Sequence, residues 1–100
     1  MLQNPPKLTI AFDYDGTYSA DVDTWRNVVS LLKDAGHRVI CVTGRRASQE
    51  VPSGIAKSFD AVIYAENEFK EKAAQWAREN VDIWIDDNPG TIQPQKVLNW

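Results

Sequence analysis

Four short apolar runs, Leu8–Phe12, Val39–Val42, Ala61–Tyr64 and Ile83–Ile85, constrain this chain more than any other feature. Each has strand length, and none shows the polar–apolar alternation of a strand with one wet face. Such runs suit a sheet covered on both faces, built from parallel strands joined by helical crossovers. The intervening segments agree. Trp25, Val28, Val29, Leu32 and Ala35 recur with helical period, with Arg26, Asn27, Ser30, Lys33 and Asp34 between them. Asp21 or Asp23 can accept the free amide bonds at that helix's start, and Gly36 suits a left-handed stop at its end. Ala47 to about Lys57 reads as a short helix interrupted near Pro52 and Gly54. Glu68 to Asn80 reads as a helix with Phe69, Ala73, Trp76 and Ala77 on one face. Lys96 to Trp100 reads as a short fifth strand. Trp25, Trp76 and Trp84 fit core or interface positions.

The expected fold is therefore α/β: a Rossmann-like three-layer sandwich. A mostly parallel sheet of four to five strands carries helices on both faces. Its 100 residues suit one domain, 1–100, with residues 1–6 and the pair Pro5-Pro6 as a lead-in. Cys41 is the only cysteine, which excludes an intrachain disulfide and a cysteine-built zinc site. Within Val39–Val42 it reads as a small buried hydrophobe rather than a reactive thiol. No apolar stretch is long enough to span a bilayer, and Met1–Pro6 lacks the regions of a signal peptide. A cytoplasmic protein with no membrane partner is expected.

Ligands of such sheets bind at the carboxyl ends of the strands. Here those ends carry Asp13 and Asp15 after the first run, Thr43 and Gly44 after the second, and Asp86 and Asp87 after the fourth. Carboxylates gathered from two strand ends repel one another unless a cation sits among them. All-oxygen ligation selects a hard ion, with Mg²⁺ the usual choice where phosphate is also bound. A carboxylate can attack phosphorus to give an acyl-phosphate, and a second one nearby can move the protons. Thr43 offers a hydroxyl, and Gly44 lets backbone amides approach a phosphoryl oxygen.

These residues also carry a resemblance. Asp13-Tyr14-Asp15-Gly16-Thr17 after an apolar strand resembles the first motif of the haloacid dehalogenase (HAD) superfamily of phosphohydrolases. Val42-Thr43-Gly44 resembles the second, Lys70 in a helix the third, and Ile85-Asp86-Asp87 the fourth. They stand in family order across essentially the whole chain. The resemblance implies Asp13 as nucleophile and Asp15 as general acid/base. Thr43 and a lysine are implied as phosphate binders, with Asp86 and Asp13 holding Mg²⁺ together with the Asp15 backbone carbonyl. Asp87 completes the acidic set. Asp at position 15 favours phosphoryl transfer, since family dehalogenases lack that second aspartate.

Lys70 and Lys72 both lie in the right stretch. Lys70 sits among Ala73, Ala74 and Ala77 at the edge of the apolar face, and Lys72 projects toward solvent. Arg45 and Arg46 directly follow the second motif, as a solvated pair or with Arg45 touching substrate. His37 reads as a capping or surface residue. Many family members carry a cap domain after the first motif or before the lysine, and neither gap has room for one. A cap-less member implies a macromolecular phosphate, such as a phosphoprotein or a polynucleotide end, or a lid supplied by an oligomeric partner. The activity implied is a phosphate monoesterase, acting on a small molecule or on a macromolecular phosphate end. A catalytically idle phosphate- or partner-binding module on the same scaffold is the alternative. Net charge is −3, from 11 basic and 14 acidic residues. That disfavours gripping nucleic acid through bulk electrostatics. Without Asp13, Asp15, Asp86 and Asp87, ten acids face eleven bases, so the acidity belongs to the site.

Overall fold

The computed structural model describes residues 6–92. β1 (Thr9–Phe12), β2 (Arg38–Thr43), β3 (Ala61–Tyr64) and β4 (Ile83–Ile85) form one parallel sheet in the order β3-β2-β1-β4. The helices are α1 (Val22–Asp34), α2 (Ser53–Ala56) and α3 (Lys70–Trp76), with short 3-10 turns at Tyr18–Ala20 and Pro89–Thr91. This is the expected Rossmann-like α/β architecture. The fifth strand expected at Lys96–Trp100, and most of the lead-in, lie outside the described residues. No helix among the described residues is long and apolar enough to cross a membrane.

Side-chain alternation along each strand divides the core in two. Ile10, Phe12, Val39 and Cys41 face α1 and α2, together with Val29, Ile55 and Phe59. Ala11, Ile40 and Val42 face the other way, against Ile63, Val81 and Trp84. The first layer is aromatic. Phe12 packs edge-on against Trp25 at 5.3 Å, and Tyr18 against Phe59 at 5.2 Å between ring centroids. Tyr18 is fully buried, so the turn that leaves β1 is pinned to this core.

α1 begins where the Asp21 side chain accepts from the Thr24 amide. It ends in a Schellman turn: His37 N donates to Leu32 O and Gly36 N to Lys33 O, with Gly36 at φ 95°. The His37 ring then accepts from the Leu8 amide, at the entrance to β1. Two acids finish the sheet's amino edge. Asp60 and Asp82 each exchange a pair of hydrogen bonds with a strand entrance, Asp60 with Val39 and Asp82 with Thr9. Asp13, Asp86 and Asp87 lie at the opposite edge, after β1 and β4.

Two expectations need correction. Residues 47–52 are not helical. The Arg45 guanidinium donates to the carbonyls of Gln49 and Glu50, and Pro52, at ψ 136°, opens α2 rather than lying inside it. α3 is shorter than expected and turned differently. It stops at Trp76 because Arg78 adopts a left-handed conformation (φ 62°) in a second Schellman turn. That turn presents Glu79 to the Arg38 guanidinium, which donates to both its oxygens. Lys70 and Ala74 face inward, whereas Phe69 is 41% and Trp76 78% exposed. An alanine-rich helix has no dominant apolar stripe, and the ionic contacts of Lys70 decide which side turns to the sheet.

Candidate functional site

The strand order reverses between β1 and β4, and a crevice opens outside their carboxyl ends at such a switch point. Phe12 pairs with Ile85 in register, and the Asp13 amide extends the ladder to Ile85 O at 2.9 Å. Asp13 and Asp86 therefore leave the sheet side by side. The chain then folds back sharply after Asp13. Tyr18 N donates to Asp13 O, Ser19 N to Tyr14 O, and Gly16, at φ 80°, donates to Ser19 Oγ. The positive φ favours glycine at position 16, and a Cβ there, 2.7 Å from Asp87 Oδ2, would displace that exposed carboxylate.

Asp13, Asp86 and Asp87 each present a carboxylate oxygen, and these oxygens lie within 4.8 Å of one another. The Lys70 ammonium bridges two of them, 2.8 Å from Asp13 Oδ1 and 2.7 Å from Asp86 Oδ2. Thr17 ties the third in. Its hydroxyl accepts from the Asp87 amide at 3.0 Å and lies 3.0 Å from Asp13 Oδ2 and 2.9 Å from Asp87 Oδ1. With a single proton it donates to one carboxylate at a time. Asp86 Oδ1 accepts from the Asn88 amide. The side chains of Asp13, Lys70 and Asp86 are almost wholly buried.

The electrostatics follow from that burial. Desolvation pushes the Asp13 carboxyl above its ordinary value; Lys70 pulls it down, while Asp87 and Asp86 push it further up. Asp87 moves below its ordinary value through its bond with Asp13, aided by Thr17. Burial works against the Lys70 charge, but its bonds to Asp13 and Asp86 outweigh it and raise the ammonium's value. Three carboxylates against one ammonium leave two negative charges, with Asp13 and Asp86 buried and Asp87 open to solvent. A divalent hard cation would balance them, and an all-carboxylate donor set fits one.

Asp15 and Arg45 form a separate pair. Arg45 Nε and Nη2 grip the two Asp15 oxygens at 2.8 and 2.9 Å, and the guanidinium lies 4.9 Å from the Tyr14 ring centroid. The Asp15 side chain is thus outside the acidic cluster, and Arg45 already has partners for both arms of its fork. Thr43 is fully buried and accepts from the Arg45 amide at 3.1 Å. Gly44 borders the cleft, where a Cβ would meet nothing within 4 Å. Lys72 and Arg46 are exposed. The Cys41 thiol is buried in β2 and pushed up to about 12, chiefly by desolvation, so it stays protonated.

The cluster floors a cleft of about 480 Å³. Sequence reasoning gave no role to several residues here. Thr17 had a signal, a hydroxyl four residues after Asp13 in the same turn. Glu66, Glu68 and Phe69 line the cleft on the β3–α3 loop, and Asn88 and Thr91 beyond β4; nothing in their spacing announced it. The connections from β1 to α1 and from β3 to α3 are short, and neither holds an inserted domain. Compared with family models, curated proteins and solved structures, the chain gives no match.

Proposed function

We propose that this chain is a Mg²⁺-dependent phosphatase of the HAD type that hydrolyses a phosphate monoester through an aspartyl-phosphate on Asp13. The observation that carries the reading is the convergence of Asp13, Lys70, Asp86 and Asp87 at the switch point of a parallel sheet. Mg²⁺, held by Asp13, Asp86 and Asp87 with the Asp15 backbone carbonyl, would supply charge neutralisation for a phosphoryl dianion among carboxylates.

In the first half-reaction an Asp13 oxygen attacks phosphorus, and the bond from phosphorus to the leaving oxygen breaks. Asp15 gives that oxygen its proton. In the second, Asp15 takes a proton from water as the water oxygen attacks phosphorus. The phosphorus–Asp13 bond breaks, inorganic phosphate leaves, and both carboxyls return to their starting states. Lys70 keeps Asp13 ionised and aimed, and its charge offsets that of the phosphoryl oxygens. Gly44, which borders the cleft, and Thr43, the residue before it in the chain, serve as phosphate-binding groups. Arg45 holds Asp15 until a phosphoryl group offers the guanidinium a competing partner, which frees Asp15 to face the leaving oxygen.

The test is release of phosphate from an aryl phosphate. Wild-type protein should require Mg²⁺ and lose activity in EDTA, and Asp13→Asn should be inactive; full activity in that variant would sink the mechanism. A second reading, an idle phosphate-binding module, draws on the capture of Asp15 by Arg45. It predicts Mg²⁺ binding with no turnover of any ester in a broad panel.

A further inference from the structure

The walls of the cleft differ from its floor. Six carboxylates line it, the four aspartates together with Glu66 and Glu68, against the cations Lys70 and Arg45. Both cations are engaged, Lys70 by Asp13 and Asp86, Arg45 by Asp15. Glu66 and Glu68 sit on the exposed loop entering α3, where Glu68 also accepts from the Phe69 amide at 2.9 Å. Phe69 is the only aromatic or aliphatic side chain among the described lining residues. It is partly open to solvent and directly precedes Lys70 in the chain.

Resting on the phosphatase reading, we propose that the cleft selects a small monophosphate with an aromatic, otherwise uncharged organic group, and turns away chains of phosphates. A strand of nucleic acid needs a basic track for its successive phosphodiesters; on the β3–α3 side of the rim they would meet Glu66 and Glu68, and the described lining offers no unengaged cation. A single phosphoryl group needs cationic help only at the floor, where Lys70 and a divalent ion supply it. Phe69 gives a flat ring an apolar face to stack on, in a cleft of the size that encloses a small ligand. The acidic rim and the phenyl ring thus act on opposite ends of one choice, excluding extra phosphates and holding the ring.

The experiment compares adenosine 5′-monophosphate, glycerol 1-phosphate and a 5′-phosphorylated oligonucleotide with Mg²⁺. Turnover is measured on wild-type protein and binding by calorimetry on Asp13→Asn. The nucleotide should exceed the other two by about tenfold in kcat/KM and in affinity, the worth of one stacked ring. Phe69→Ala should raise KM for the nucleotide several-fold more than it lowers kcat, and several-fold more than it raises KM for glycerol phosphate. Glu66→Gln with Glu68→Gln should recover several-fold of the oligonucleotide's disadvantage. Equal handling of all three ligands, or no effect of Phe69→Ala on the nucleotide, overturns the proposal. Selective binding to Asp13→Asn without turnover by the wild type would uphold this selectivity and defeat the phosphatase reading instead.

Discussion

Replacing Lys70 by methionine keeps the length of the side chain and removes its charge, which isolates what the ammonium does. The Lys70 side chain is 6% exposed, and its partners Asp13 and Asp86 are 7% and 1% exposed. Removing one member of a buried ion pair typically costs about 3–5 kcal/mol, because the remaining charges are left without compensation. Here two buried carboxylates lose their cation, and Asp87 stands within reach of both. The upper half of that range is expected. A domain of this size is held by only about 5–15 kcal/mol, so the melting temperature should fall on the order of 20 °C. Urea unfolding in EDTA, followed by circular dichroism, measures the loss directly as a lower midpoint at unchanged slope. Titrating Mg²⁺ then supplies the second half of the test. With the ammonium gone, the three carboxylates should bind the ion several-fold more tightly than in wild-type protein. Saturation should restore about 2.7 kcal/mol at one hundred times Kd. A loss below about 1 kcal/mol would mean that the pair behaves as a solvated one. A variant that Mg²⁺ stabilises no more than wild type would refute the assignment of these oxygens to a cation.

Two further outcomes follow from the same geometry. In EDTA the native Asp13 carboxyl titrates above its ordinary 3.8, so the native state binds more protons than the unfolded chain between 3.8 and that raised value. Its contribution is therefore present at low pH and lost as pH rises through this window. Asp87, lowered, contributes stability that is lost only as pH falls below 3.8. Asp13→Asn should flatten the decline in urea midpoint with rising pH above about pH 4, and an unchanged slope would contradict the burial argument. Gly16→Ala and Gly36→Ala impose similar left-handed strain, at φ 80° and 95°, and each should cost roughly 1–2 kcal/mol in thermal melting. Only the first places a methyl 2.7 Å from Asp87 Oδ2, so only Gly16→Ala should weaken Mg²⁺ binding in calorimetry. Equal affinity in the two variants would remove Asp87 from the cation site.

The sheet was legible because β1 and β2 are buried on both faces and the edge strands β3 and β4 are partly covered, so each apolar run had only one kind of place to go. The strand ends followed, since parallel pairing brings whatever follows Phe12 and Ile85 to one edge. The α3 face was not legible. Alanines at 73, 74 and 77 fit several rotations, and the inward side is chosen by a lysine that a hydrophobic pattern counts as polar. The 47–52 segment is not helical because the Gln49 and Glu50 carbonyls accept from the Arg45 guanidinium, which is itself held by Asp15 far away in the chain, a tertiary contact that periodicity cannot register. At the site, the pairing of Asp15 with Arg45 and the bridging by Thr17 depend on loop geometry rather than spacing. So does the approach of Glu66, Glu68 and Phe69 to the cleft.

The central claim is that Asp13 carries the phosphoryl group between the two half-reactions. Wild-type protein turning over an aryl phosphate with Mg²⁺ should be quenched in acid, reduced with borohydride and digested, and the peptide containing Asp13 read by mass spectrometry. The account predicts homoserine at position 13, formed by reduction of an aspartyl-phosphate, and none without substrate or without Mg²⁺. Turnover that leaves Asp13 unmodified, or a modification at Asp15, Asp86 or Asp87 in its place, would contradict it.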